Sequence, residues 1–264
     1  MLGFIGTGHM AQAILRGLLS SERFDSAQIL VFDVLSDKAA AVAKETGVRV
    51  AKDAADLTAQ CDTVVLAVKP QVLPGVLEEI QPAVGSKHPL LVTIAAGKPL
   101  SFYEAALGDS IRLIRVMPNI NAVVGAAVSA YCGNANATKA DLAFADGFCS
   151  AFGTALCLPE SQFSAFSALA GCSPAFVYLF IDAMARAGVK YGLPKAQALQ
   201  ISAQAVLGSA KMVRESGVHP QQLVDNVCSP GGTTIEGVLS LQKNGFEAAV
   251  ADAVRAAFEK DRLL

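Results

Sequence analysis

Charge of either sign is scarce in this chain. Its 264 residues hold 21 Lys and Arg against 23 Asp and Glu, 17% charged in all, for a net charge of −2. No broad basic field is available to attract nucleic acid or an anionic membrane, so neither is expected as a partner. Cysteine supplies no framework. Cys61, Cys132, Cys149, Cys157, Cys172 and Cys228 are scattered without a CxxC, which argues against a disulfide scaffold and a thiolate zinc site. His9, His88 and His219 stand far apart with no HxH or HExxH pairing, so no metal is expected. Continuous apolar runs are missing too. Of the two uncharged stretches, 116–138 is broken by Pro118, Asn119, Asn121, Asn134 and Asn136, and 161–181 by Gly171, Ser173 and Pro174. Neither offers the roughly 18–20 unbroken apolar residues of a membrane span, so both read as core.

What the chain has in abundance is hydrophobic residues, 53% of the total. That excludes disorder and suggests that some surface is buried against a partner. The length suits one large domain or two ordinary ones. No basic leader precedes the apolar segment at Leu2. If that segment is a strand, no targeting peptide precedes the fold, and a cytoplasmic protein is expected.

From 1 to 158, short β-branched runs alternate with Ala-rich stretches. The runs at 2–5, 29–32, 63–67, 90–94 and 111–116 read as strands, and those at 10–20, 36–46, 72–80 and 101–106 as the helices between them. The strands are continuously apolar rather than alternating, as in a parallel sheet covered on both faces. The expected architecture is α/β, an N-terminal Rossmann-like doubly wound parallel sheet. Later strands are expected at 127–131 and 154–158 around a helix at 139–150. From 159 to 264 strand-like runs vanish, and an all-α C-terminal dimerisation domain is expected. Its helices at 174–187 and 195–214 are apolar on more than one face. The stripe Leu199, Ala203, Val206, Ala210 and Val213 is joined by Ile201, Ala205, Leu207 and Met212 on other faces, so more than one face needs covering. A homodimer through this domain answers that need. Burial against the first domain alone is the alternative.

The first strand runs into Gly6-Thr7-Gly8-His9-Met10-Ala11, a G-x-G-x-x-A turn that opens a helix. Gly6 makes the tight turn, Gly8 admits a pyrophosphate to the backbone, and Ala11 lets the helix sit close to the sheet. Asp33 ends the second strand, where an acid hydrogen-bonds a ribose 2′-hydroxyl and repels a 2′-phosphate. No arginine follows it, which favours NAD, although Lys38 is a cation that could reach a phosphate. His9 reads as a solvent-facing turn residue. Three further strand ends carry small or polar turns suited to a flat nicotinamide: Ala67-Val68-Lys69-Pro70, with Pro70 stopping the strand and starting a helix; Ala95-Ala96-Gly97; and Met117-Pro118-Asn119.

The second domain holds Cys228-Ser229-Pro230-Gly231-Gly232-Thr233-Thr234-Ile235-Glu236. Thr233 and Glu236 read as a capping box at a helix start. The preceding Ser229, Gly231 and Gly232 supply free donors for a small carboxylate, or simply a turn. Ser173 before Pro174 reads as a helix cap with proline at the first helical position. A Lys-x-x-Asn pair, which would polarise a carbonyl, is absent. A protonated imine already carries its positive charge and needs no such acid; a threonine hydroxyl or water suffices.

The segments Phe4-Ile5-Gly6-x-Gly8-x-Met10-Ala11, Ala67-Val68-Lys69-Pro70, Ile94-Ala95-Ala96-Gly97, Met117-Pro118-Asn119, Ser173-Pro174-Ala175 and Ser229-Pro230-Gly231-Gly232-Thr233-Thr234 together resemble the pyrroline-5-carboxylate reductase family. The likeness runs in order across essentially the whole chain. It implies hydride transfer from NAD(P)H to the C=N carbon of 1-pyrroline-5-carboxylate, giving L-proline, with NADPH the family expectation and NAD possible through Asp33. It further implies that the first-domain loops hold the cofactor, that Ser229–Thr234 holds the substrate carboxylate, and that Thr234 is a candidate proton donor. Dimers through the helical domain, often five in a ring as a decamer, are implied as well. Two other readings stand beside it: another imine or hydroxyacid reductase on the same scaffold, which the missing Lys-x-x-Asn disfavours in its hydroxyacid form, and a non-catalytic NAD(P) sensor, which has no need of the second anion loop.

Overall fold

The computed structural model describes residues 1–263. Leu264, the last residue of the expected helical domain, lies outside the described residues. The described residues divide into two compact units, Met1–Gly171 with 261–263, and Cys172–Lys260.

The first unit alternates strands and helices: β1 (Leu2–Ile5), α1 (His9–Ser20), β2 (Ile29–Phe32), α2 (Ser36–Thr46), β3 (Arg49–Val50), α3 (Ala54–Gln60), β4 (Thr63–Leu66), α4 (Leu73–Lys87), β5 (Leu90–Thr93), α5 (Leu100–Leu107) and β6 (Arg112–Met117). After a 3-10 turn at Ile120–Val124 come β7 (Ala127–Gly133), α6 (Lys139–Ser150), β8 (Gly153–Cys157) and the short α7 (Phe163–Phe166). The eight strands form one sheet in the order β3-β2-β1-β4-β5-β6-β7-β8. Every pair is parallel except β6 with β7. The expected Rossmann-like doubly wound sheet is therefore present.

Both faces of the sheet are covered, which explains the continuous apolar strands. Phe4, Val31, Val65, Val92 and Ile114 point into a cluster with Ile14, Leu15 and Leu18 of α1 and Phe148 of α6. Ile5, Leu30, Leu66, Leu91 and Leu113 point into the other, with Leu57 of α3, Leu77 and Ile80 of α4 and Tyr103 of α5. Each such side chain contributes about 1.5–3 kcal/mol on burial.

Several boundaries differ from the sequence expectation. β3 and α3 were not expected; the strand is two exposed residues long, and the helix is seven residues capped by Asp53, whose side chain accepts from Asp56 N. Pro70 does not start a helix. It opens a turn in which Val72 N donates to Lys69 O, and α4 begins at Leu73. That helix also runs on past Pro82 to Lys87. Pro82 lies on the exposed face, where water takes the carbonyl it leaves unpaired, while Val84 keeps the far turn anchored in the core. Strands end at Cys157, yet the first unit continues to Gly171. Phe163, Phe166 and Ala170 are buried in the second core cluster and tie that segment to the sheet.

The second unit contains α8 (Ser173–Lys190), α9 (Lys195–Ser216), α10 (Pro220–Val227), α11 (Thr233–Lys243) and most of α12 (Phe246–Asp261). Ser173 is not a helix cap. A π-helical segment, Ser167–Cys172, leads directly into α8, so Ser173 is already helical and Pro174 is the second residue. α8 and α9 pack along each other, and Gly188 allows a close approach to Ala198. Much apolar surface stays uncovered: Tyr178, Leu179, Leu199, Ile201, Leu207 and Met212 are all exposed.

Candidate active site

Register places the loops of interest side by side. Ile5 at the end of β1 sits between Phe32 of β2 and Leu66 of β4. Gly6 N donates to Phe32 O at 2.7 Å, Ala67 N to Ile5 O at 2.8 Å, and Ile94 N to Leu66 O at 3.2 Å. The loops after β2, β1, β4 and β5 thus stand in a row at the carboxyl edge, where the strand order reverses and α/β sheets bind ligands.

Gly6 has φ +99°, and a Cβ there would lie 2.6 Å from the Ala67 carbonyl oxygen, so the turn requires glycine. Gly8 faces open space, with nothing within 4 Å of where its Cβ would be. It caps α1 with no side-chain hydrogen bond, which leaves N–H groups of the first turn for an anion. Ala11 is buried against the sheet and Met10 packs on the same core, while His9 is exposed and is the first residue of α1. The residues therefore fit a dinucleotide: an added Cβ on Gly8 would fill the cradle that the pyrophosphate needs.

Asp33 follows β2. Its Oδ2 accepts from Thr7 N and Thr7 Oγ1, both at 2.9 Å, and its Oδ1 accepts from Leu35 N at 3.0 Å. Burial pushes the Asp33 pKa up, but these hydrogen bonds and the nearby Lys38 charge outweigh it and hold the carboxyl below its ordinary value. A carboxyl with a depressed folded-state pKa contributes stability above its unfolded value, about 3.9, and loses it only as pH falls through the lower folded one. Asp33 is therefore charged at neutral pH.

Beside it opens a largely apolar cavity of about 360 Å³ between Val34 and Leu35 on one side and Val68, Val72 and Val76 on the other, with Glu79 and Lys69 also in its wall. A neighbouring cavity of about 420 Å³ lies between the start of α1 and α2, lined by Gly8, His9, Gln12, Lys38 and Lys69 among others. The exposed pair Val34 and Leu35 was missed in the sequence. The readable signal was two apolar residues directly after the acid, where a surface turn would be polar.

Two residues expected at the cofactor have protein partners for their side chains. Thr7 is fully buried, lines the cavity at Gly8, and gives both its donors to Asp33, so its hydroxyl orients the acid. Asn119 is 5% exposed; its Nδ2 donates to Ala170 O at 3.0 Å and its Oδ1 accepts from Val128 N at 3.3 Å. That amide is a clamp between backbone segments. Ala67, Val68, Lys69 and Pro70 follow β4, and Ala95, Ala96 and Gly97 follow β5, on adjacent loops of the carboxyl edge. The three thiols of the first unit's core are not nucleophiles: burial pushes Cys61 up to about 11 and Cys132 and Cys149 up to about 12.

In the second unit, Cys228 leads into a tight turn closed by Gly232 N donating to Ser229 O at 3.0 Å. Gly231 holds φ +66°, a left-handed position that glycine takes without strain. The capping box expected at Thr233 and Glu236 is not formed. Gly232, extended at φ −80° and ψ 169°, is the N-cap, so Thr233 is the first helical residue and no side chain caps α11. Ser229, Gly231, Thr233 and Thr234 are all exposed. The first turn of α11 is thus left without a side-chain cap, and the hydroxyls of Ser229, Thr233 and Thr234 stand exposed beside it.

The chain is 43% identical over 263 residues to the pyrroline-5-carboxylate reductase of Escherichia coli, covering 100% of this chain and 97% of that protein. The chain belongs to the pyrroline-5-carboxylate reductase family. The family model for pyrroline-5-carboxylate reductase dimerisation matches residues 160–264, and that for NADP oxidoreductase, coenzyme F420-dependent, matches residues 1–97. Solved pyrroline-5-carboxylate reductases have the same fold. That of Plasmodium falciparum, with NADP bound, has a TM-score of 0.88 at 33% identity and covers 99% of this chain and 97% of its own. That of Coxiella burnetii has a TM-score of 0.94 at 30% identity, with the same coverages. The likeness read from six short motifs thus extends along the whole chain, and the expected architecture is that of the reductase family.

Proposed function

We propose that this protein is a pyrroline-5-carboxylate reductase, forming L-proline in the last step of proline biosynthesis. The observation that carries the reading is end-to-end similarity to reductases of that name, in a chain that has both a dinucleotide cradle and a separate small-anion loop. When bound, NAD(P)H supplies a hydride to the C=N carbon, and with one proton on the ring nitrogen the products are L-proline and NAD(P)+.

The chain's own residues bind and orient. Backbone groups at Gly6, Gly8, His9, Met10 and Ala11 hold the pyrophosphate, and Asp33 holds a ribose. The loops Ala67–Pro70 and Ala95–Gly97 offer small residues that let a flat ring lie close. Ser229, Gly231, Gly232 and Thr233 hold the substrate carboxylate, and Thr234 holds a proton at its Oγ1 for the imine nitrogen. The neutral imine takes up this proton as the hydride reaches its carbon, and water restores it to Thr234 Oγ1.

The working form is a homodimer built on the residues from 159 onward, with a decamer of five dimers as the family's larger assembly. The uncovered apolar side chains of α8 and α9 support this. The helical run Glu160–Lys190 is long and apolar enough to cross a membrane. It falls within the dimerisation match at 160–264, and we assign its apolar face to the partner subunit of a cytoplasmic enzyme.

Two measurements test the assignment of the loop. Replacing 1-pyrroline-5-carboxylate by 1-pyrroline, which lacks the carboxylate, is expected to raise KM by about 100-fold; equal KM values would remove the anion loop from substrate binding. Thr234→Ala is expected to lower kcat by roughly 10- to 100-fold with KM nearly unchanged. An unchanged kcat at saturating substrate would take Thr234 out of the mechanism.

A further inference from the structure

Resting on the dinucleotide reading of the glycine loop, we propose that this chain selects NADH over NADPH, with Asp33 as the selecting residue and Thr7 as the residue that positions it. The two cofactors differ only at the adenosine 2′ position, a hydroxyl in one and a phosphate in the other. The outcome therefore depends on what the turn after β2 presents.

Each carboxylate oxygen has two lone pairs. Asp33 Oδ2 has filled both, with Thr7 N and Thr7 Oγ1, and Oδ1 has filled one, with Leu35 N. The single acceptor position left is the complement of one hydroxyl donor. A phosphate has no donor to offer at neutral pH and brings further negative charge against a carboxylate that three bonds hold in place. The next two residues, Val34 and Leu35, are 78% and 54% exposed and line the adjoining cavity with hydrocarbon. The Leu35 N–H is already given to Asp33. No arginine stands between 33 and 38, so the bidentate fork that recognises phosphate is absent from the turn. Lys38, the turn's cation, lines both cavities, and the nearby Asp33 carboxylate opposes its charge. Lys69, the other cation in the cavity wall, also lines the space at Gly8, where the pyrophosphate shared by both cofactors already needs a counter-charge.

Thr7 makes the selection possible by fixing the carboxylate's direction. Its hydroxyl is the one side-chain group among the three donors, so it can be removed alone.

The test is equilibrium binding of NADH and of NADPH to the full-length protein, followed by the fluorescence of the reduced nicotinamide, without substrate. NADH is expected to bind at least tenfold tighter. Asp33→Asn keeps an acceptor oxygen for the turn and removes the charge, and is expected to tighten NADPH binding at least tenfold. Thr7→Val is expected to bring the two affinities closer together, and Thr7→Ser to restore the wild-type ratio. NADPH binding as tightly as NADH to the wild-type protein overturns the proposal and leaves the cofactor site standing. An unchanged ratio in Asp33→Asn removes Asp33 as the selector. Failure of the folded protein to bind either cofactor overturns the dinucleotide reading itself, and this proposal with it.

Discussion

Gly6→Ala raises the dissociation constant for a nicotinamide dinucleotide by about 100-fold, equivalent to ~2.7 kcal/mol. Two costs combine to give this. A residue with a side chain at φ +99° is strained by roughly 1–3 kcal/mol. The new methyl would also lie 2.6 Å from a backbone oxygen, that of Ala67, and cannot be relieved by a side-chain rotation. The β1 and β4 ends are pinned together by the bond from Ala67 N to Ile5 O, so relief must move the glycine turn out of place. Gly8→Ala is the contrast. Its Cβ meets nothing in the protein, so Tm is expected to stay within a few degrees of wild type while affinity still falls. Calorimetric titration and a thermal melt separate the two. Unchanged affinity in both variants would detach the glycine turn from cofactor binding.

Arg115→Ala is expected to cost about 2 kcal/mol of stability. Arg115 Nη1 meets Glu160 Oε1 at 2.8 Å, with side-chain exposures of 12% and 31%, and its guanidinium lies 4.7 Å from the Phe163 ring centre. The same Glu160 oxygen accepts from Leu100 N at 2.8 Å. One pair thus joins β6, the start of α5 and the segment after β8. Breaking a fully buried pair costs about 3–5 kcal/mol because one charge is stranded. Glu160 remains partly wet, which discounts the figure. The corresponding fall in Tm is roughly 4–8 °C for a protein of this size. Glu160→Gln, which keeps an acceptor for Arg115 and Leu100, is expected to lose less than half as much. Equal melting points for Arg115→Ala and wild type would show that the tie is not structural.

The sheet was legible because a strand buried on both faces has to be apolar nearly throughout, and Leu2–Ile5, Thr63–Leu66 and Leu90–Thr93 are, with a threonine only at one end of the latter two. The two-residue β3 is too short to leave such a signature. The helix expected at 72–80 runs on to Lys87 because Pro82 falls on its exposed face, which the sequence does not reveal. The glycine turn and Asp33 were legible as chemistry, since their residue types are required at that spacing. What a side chain faces was not. Thr7 and Asn119 sit in ligand motifs, yet both point inward, one to orient an acid and the other to clamp backbone. The start of α11 shows the same limit on a smaller scale. Thr233 and Glu236 have the spacing of a capping box, but Gly232 takes the cap and shifts the helix by one residue. The box that does form joins Thr138 and Asp141 at the start of α6.

Imine reduction is measured by mixing the purified protein with reduced nicotinamide cofactor and 1-pyrroline-5-carboxylate, then following cofactor absorbance and L-proline together. With NADH and NADPH run side by side, reduced cofactor is expected to disappear and L-proline to appear in equal amounts. Cofactor binding without consumption of either dinucleotide, in folded and assembled protein, would contradict it.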